Sequence, residues 1–330
     1  MKILHIENTA GVPSQLSKAL CELGHDSKVM ETWKAFTDYD CDIENYYGSP
    51  GEAREFLGTL RSMIKTIEIA KEYDIIHVHS GINWKRLDYI AIRKLLRKPM
   101  VVHYHGSDAR LGYGMAYPHF ADSKFICTPD LYKWIPDANL LLNPIDFQPS
   151  NFPPQGVPTV IHMPTVRLKK GTELILKAIE ELQEELEFNF ILVEGVTHAE
   201  AMKELSKAHI LIDQVVDVAD TEILGLIGMT SLEAMSMGKV AVSHIDPKML
   251  TYYNGIPVVN VKVSKESIKK ALRPLIKDYG LCKAIGERGR KYVRKEHSPI
   301  NAAKKCEEIY TGILENLNNG PYRIGVPDGR

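Results

Sequence analysis

No apolar run in this 330-residue chain approaches the length needed to cross a bilayer, which excludes a transmembrane helix. Neither charge sign is in surplus: 41 lysines and arginines face 42 aspartates and glutamates, for a formal net charge of −1. That balance gives no general attraction to nucleic acid, so no nucleic-acid partner is expected, and any anionic ligand must be held by a local site. Cysteine is sparse. Cys21, Cys41, Cys127, Cys282 and Cys306 form neither a Cys-x-x-Cys pair nor a paired framework, which excludes a cysteine zinc site and fits a reducing compartment. Met1 and Lys2 lead straight into strand-like residues 3–7 rather than into the apolar region of a signal peptide, so a cytoplasmic protein is expected. Also missing are a Gly-x-Gly-x-x-Gly after the first strand and a Walker A sequence, which disfavours dinucleotide and P-loop binding.

What is present is alternation. Short apolar runs rich in β-formers alternate with helical patterns along nearly the whole chain, the signature of parallel sheets built from βαβ units. Strands are expected near 2–7, 27–30, 74–79, 100–105, 124–128 and 139–142, then near 158–162, 188–193, 209–213, 239–243 and 257–260. Between the two sets Pro144, Pro149, Pro153, Pro154 and Pro158 with Gly156 cannot continue a helix or a central strand. The linker is placed at 146–157, between two doubly wound α/β domains, 1–150 and 151–330.

Such sheets bind ligands beyond the carboxyl ends of their strands. The first strand runs into a turn containing Gly11, where backbone can approach a phosphate, or which merely shapes a tight connection. His77 with His79, and His103 with His105, end neighbouring strands two residues apart and so share faces. They either pack and hydrogen-bond there or, with Asp108, hold zinc; no helical His-x-x-x-His supports the metal, and no metal is expected. His105 differs because the polar turn Gly106-Ser107-Asp108 follows it. In the second half Arg167, Lys169 and Lys170 crowd beside a helix start, an arrangement that suits an anion among them or is a solvated loop. Residues 225–238 place Glu233 in the first turn of a short helix ending at Gly238. Thr230 is expected as its N-cap, with Glu233 either closing a capping box or free to meet a nucleotide whose phosphate rests on the helix N-terminus. Residues 84–98 carry Lys85, Arg86, Arg93, Lys94, Arg97 and Lys98 beside Leu87, Ile90, Leu95 and Leu96. They read as an ordinary solvated helix or as one resting on an anionic membrane surface.

The order His105-Gly-Ser-Asp, Asn143-Pro-Ile-Asp146 before the proline-rich linker, Arg167-x-x-Lys170-Gly171-Thr172, Ser231-Leu-Glu233-Ala-Met-x-x-Gly238-Lys239 and Tyr292-Val through His297-Ser298 resembles the nucleotide-sugar glycosyltransferases of family 4. The resemblance spans essentially the whole chain. It implies a GT-B fold, two Rossmann-like domains facing each other over a cleft, with the last helix returning to the first domain. It further implies an acceptor on the first domain, a nucleoside diphosphate sugar on the second, and no cofactor beyond that donor. Position by position, Arg167 and Lys170 would bind and stabilise the leaving diphosphate, and Glu233 would accept the ribose hydroxyls. Backbone amides of Thr230, Ser231, Leu232 and Gly11 would complete the phosphate cradle, and His105 would face the transferred sugar. The chain departs from the family at Gly225, where a second glutamate usually contacts the donor sugar; Glu222 is the nearest substitute. The implied activity is sugar transfer to a hydroxyl of a glycan or lipid-linked acceptor, with retention of configuration and without a metal, in polysaccharide assembly. A peripheral contact at the inner membrane face through 84–98 would go with it. A nucleotide-sugar epimerase on the same fold, or a non-catalytic nucleotide-binding subunit, are the alternatives.

Overall fold

The computed structural model of the chain describes residues 1–33, 39–46, 54–80, 86–112, 115, 120–147, 149, 152–216 and 225–319. By contacts these divide into two compact units, one holding 1–33, 39–142 and 299–319, the other 143–298.

The first unit is a parallel sheet of β1 (Lys2–Ile6), β2 (Asp26–Glu31), β3 (Ile43–Glu44), β4 (Ile75–His79), β5 (Met100–Tyr104), β6 (Ser123–Ile126) and β7 (Asn139–Leu140), in the order β3-β2-β1-β4-β5-β6-β7. Its central strands are buried on both faces, as continuous runs such as Ile75, Ile76 and Val78 require. Helices α1 (Val12–Glu22), α2 (Arg54–Ala70), α3 (Leu87–Lys94) and α4 (Ser107–Arg110) connect the strands. Strand β3 was not expected from the sequence: two residues carry no periodic pattern, and it exists by pairing with Met30 and Glu31 of β2.

The second unit carries β8 (Thr159–His162), β9 (Asn189–Leu192), β10 (Ile210–Ile212), β11 (Val240–Ser243) and β12 (Val259–Asn260), in the order β12-β11-β10-β8-β9, all parallel. Its helices are α5 (Arg167–Lys170), α6 (Thr172–Gln183), α7 (His198–Ser206), α8 (Met229–Ser236), α9 (Pro247–Leu250), α10 (Lys265–Lys277) and α11 (Tyr279–Glu296). Helix α6 buries Ile175, Ile179 and Leu182, the face its spacing indicates. The Asn143-Pro-Ile motif is tied to the end of α11, with His297 Nδ1 2.8 Å from the Asn143 carbonyl and the Ile145 N–H donating to the His297 carbonyl at 3.0 Å.

The last helix, α12 (Pro299–Asn319), leaves the second unit and packs on the first. Tyr310 is fully buried there, its hydroxyl 2.6 Å from His77 Nδ1, and Glu307 meets His25 at 2.9 Å.

Candidate functional site

In the second unit two strand ends and a helix start converge on one buried carboxylate. Asp213 follows β10, is 2 % exposed, and accepts from both Lys170 Nζ and Ser231 Oγ, the latter at 2.7 Å. Burial alone would raise the Asp213 pKa, but Lys170 and the serine hydroxyl outweigh it and hold the group below its ordinary value. Asp213 thereby ties the basic turn after β8 to the first turn of α8. Two glycines allow the approach. A Cβ on Gly171 (φ +70°) would fall 2.0 Å from the Val215 carbonyl oxygen, and one on Gly228 would fall 2.3 Å from Asp213 Oδ2. Sequence reading missed Asp213, because a lone aspartate after a strand carries no signal until Lys170 and Ser231 are known to lie beside it.

The crowding at Gly228 moves the start of α8. Gly228, extended at φ −81° and ψ 157°, is the N-cap, and no side chain caps the helix. Thr230 is therefore the second helical residue rather than the cap, no capping box forms, and Glu233 lies past the first turn. The first intrahelical bond runs from Leu232 N–H to the Gly228 carbonyl at 3.2 Å. Leu232 thus spends its amide, and the amides without an intrahelical acceptor are those of Met229, Thr230 and Ser231. The far end is as expected: Gly238 (φ +81°) closes the helix, with Gly238 N–H to Met235 O at 2.9 Å and Lys239 N–H to Ala234 O at 2.8 Å.

Arg167 begins the turn that Lys170 ends. It is half-exposed and meets two carboxylates, Glu194 at 2.7 Å and Glu173 at 2.8 Å, whose hydrogen bonds raise its pKa. Glu233 is held by His198 of α7, Nε2 to Oε1 2.7 Å, and that hydrogen bond raises the His198 pKa. The cation beside the start of α8 is Lys170, whose Nζ would lie 3.2 Å from a Cβ on Gly228. Gly225 has φ +43°, and its carbonyl accepts from the Asp246 N–H at 2.9 Å; a Cβ there would lie 2.5 Å from that nitrogen. The backbone at this position is built around glycine. Glu222 lies outside the described residues.

In the first unit the strand-end histidines form a cluster larger than the sequence indicated. Register pairs His5 with His77 and His79 with His103, so His5, His77, His79, His103 and His105 share one face of β1, β4 and β5. Rings of His77 and His79 lie 4.3 Å apart, those of His103 and His105 4.2 Å. Burial holds His5 and His105 down at about 3 and the other three well below the ordinary range. Two triplets, His5-His77-His79 and His79-His103-His105, bring ligand atoms within 4.8 Å. No carboxylate joins either set among the described residues, so a divalent ion there would be a buried charge without an anion. Asp108 does not complete such a set: it accepts the backbone N–H groups of His105, Gly106 and Ala109 and shapes the turn after β5.

Gly11 (φ +70°) is the N-cap of α1, and a Cβ there would meet the Tyr39 ring at 2.8 Å. Residues 84 and 85 lie outside the described residues; among the described residues of the basic segment, 86–98, only Leu87–Lys94 is helical, with Leu87 and Leu95 exposed and Tyr89 and Ile92 buried. Three of its cations serve the fold. Arg86 is buried against Asp88 and Glu7, Arg93 pairs with Asp122, and Lys98 donates to the Lys71 and Tyr73 carbonyls. No described helix is long and apolar enough to cross a membrane.

Residues 13–137 match the family model Glycosyltransferase Family 4. Over these residues the chain is similar to family 4 glycosyltransferases. Its fold is GT-B, shared with a glycosyltransferase from Rickettsia africae (TM-score 0.68, 16% identity, 96% of this chain and 99% of that one). It is shared also with Anabaena HepE in complex with UDP and glucose (0.66, 14%, 94% and 100%). The catalytic domain of Arabidopsis thaliana starch synthase IV, bound to ADP and acarbose, is alike as well (0.68, 14%, 96% and 99%). At such identities these likenesses establish the fold alone. No curated protein matches the sequence.

Proposed function

We propose that this chain is a family 4 glycosyltransferase that transfers a sugar from a nucleoside diphosphate donor to a hydroxyl of a glycan or lipid-linked acceptor, with retention and without a metal. The observation that carries the reading is the junction of Lys170 with the first turn of α8, held together by buried Asp213, with Arg167 in the same short helix as Lys170. Two cations at a helix N-terminus form an anion site, and the anion that a nucleotide sugar releases is a diphosphate. In this reading Arg167 and Lys170 neutralise the charge that develops on the leaving diphosphate as the anomeric bond breaks, the task a divalent ion performs elsewhere. The acceptor hydroxyl supplies the new bond and its proton leaves on the diphosphate. Glu233 accepts the ribose hydroxyls after exchanging His198 for them. His105 contacts the transferred sugar, and the amides of Met229, Thr230 and Ser231 donate to phosphate oxygens. The first unit is assigned the acceptor and the second the donor.

The similarity to proteins solved with UDP and with ADP supports the donor class. Nucleoside diphosphate release from UDP-, ADP- and GDP-sugars, measured with and without a panel of glycan and glycolipid acceptors in EDTA, tests the proposal. Acceptor-dependent release that survives chelation is expected. Transfer that requires an added metal ion would overturn the metal-independent step, and donor isomerisation without release would overturn transfer.

A further inference from the structure

Three of the clustered imidazoles form a hydrogen-bonded line with a direction. His5 Nδ1 lies 3.0 Å from His79 Nε2, and His79 Nδ1 lies 3.0 Å from His105 Nε2. All three rings are neutral, because burial disfavours the charged form in each. Each ring then carries one proton, and each link needs one N–H and one lone pair.

Only two arrangements satisfy both links. In one, His5 donates from Nδ1 to His79, His79 donates from Nδ1 to His105, and His105 keeps its own proton on Nδ1. In the other every proton sits on the opposite nitrogen, and His5 carries an N–H at Nε2. That nitrogen is buried without a partner among the described residues. A buried N–H without an acceptor is rarer and costlier than an unused lone pair. The first arrangement is therefore favoured. It puts the unpartnered N–H instead on Nδ1 of His105, the half-buried end of the line, which is not sealed from water as His5 Nε2 is. His103 packs against His105 with its ring tilted but takes no part in the line, since both its nitrogens are unpartnered among the described residues.

We infer that His79, oriented by His5, is a positioning residue that locks His105 as a hydrogen-bond donor through Nδ1, offered to an acceptor oxygen of the transferred sugar. The inference rests on the proposed contact between His105 and that sugar. The lock reverses the preference of free neutral imidazole for the Nε2–H tautomer, because the hydrogen bond at one ring nitrogen decides where the proton sits. A neutral donor also needs no proton from solvent, so its contribution does not titrate across the working pH range.

Long-range 1H–15N correlation spectra of 15N-histidine-labelled protein read the tautomer directly, with His105 assigned by its loss in His105→Ala. Wild-type His105 is expected in the Nδ1–H form at pH 7. His79→Leu should return it to Nε2–H and lower kcat about tenfold, the effect of losing one hydrogen bond worth about 1.4 kcal/mol. His79→Asn, whose amide can donate from near the Nδ1 position, should restore both; a merely structural role would damage the two variants alike. A wild-type His105 protonated on Nε2, or on both nitrogens, overturns the lock even if neither variant folds. An Nδ1–H His105 in a protein whose His105→Ala variant transfers normally would overturn the sugar contact and leave the lock standing, so the two failures are told apart.

Discussion

His198 Nε2 lies 2.7 Å from Glu233 Oε1, so the carboxylate assigned to the donor ribose is already engaged by an imidazole. That hydrogen bond raises the His198 pKa above its ordinary value of 6.5. The sign follows: the pair contributes stability that is fully present below about pH 6.5 and is lost as pH rises through the folded-state pKa. Ribose binding must displace His198, so nucleoside diphosphate affinity should strengthen as pH rises through the same window. The gain should not exceed about fivefold, because a partly exposed pair is worth at most ~1 kcal/mol. Titration calorimetry of wild type and His198→Ala between pH 5.5 and 8.5 checks this. The variant's profile should be flatter, and identical profiles would remove His198 from the binding step.

Asp213 should matter to folding as well as to binding. Removing one member of a buried ion pair leaves the other charge uncompensated, at a cost of about 3–5 kcal/mol. Asp213→Ala should accordingly lower the denaturant midpoint strongly, and nucleoside diphosphate binding with it. A midpoint within error of wild type would show that Lys170 finds solvent or another partner.

Gly225 offers the opposite test. Restoring the family's glutamate there should not restore a sugar contact, because a Cβ at that site meets the Asp246 backbone nitrogen at 2.5 Å and φ is +43°. Gly225→Ala and Gly225→Glu should each cost about 1–3 kcal/mol of stability. If Gly225→Glu instead folds at wild-type stability and transfers faster, the loop adapts and the glycine is only a lost carboxylate.

The fold was legible because parallel strands buried on both faces leave unbroken apolar runs. Every strand expected between residues 2 and 260 is present, whereas Ile43–Glu44 is too short to show a pattern. The cations at 167 and 170 could be read because they precede an amphipathic helix. What the sequence hid depended on through-space contact. Asp213 acquires meaning only beside Lys170 and Ser231, and the cap of α8 moved from Thr230 to Gly228 because the glycine must lie against that carboxylate. The histidine line likewise needed the strand register: His5 sits far in sequence from His79 but directly beside β4. In the same way the basic residues of 84–98 suggested a surface until Asp88, Glu7 and Asp122 were found facing them.

The diphosphate site is tested most directly at Arg167. Lys170 is a compromised probe, since its loss strands buried Asp213, but the Arg167 ion pairs are exposed and their removal should leave folding nearly intact. The decisive measurement is thermal unfolding of wild type and Arg167→Ala against UDP, ADP and GDP, because a ligand that binds only the folded state raises Tm in proportion to its affinity. At least one diphosphate should stabilise the wild type, and Arg167→Ala, with an unchanged ligand-free Tm, should bind it about tenfold to a hundredfold more weakly, as loss of a charge-assisted hydrogen bond implies. Equal stabilisation of both proteins, or none of the wild type by any nucleoside diphosphate, would contradict the assignment.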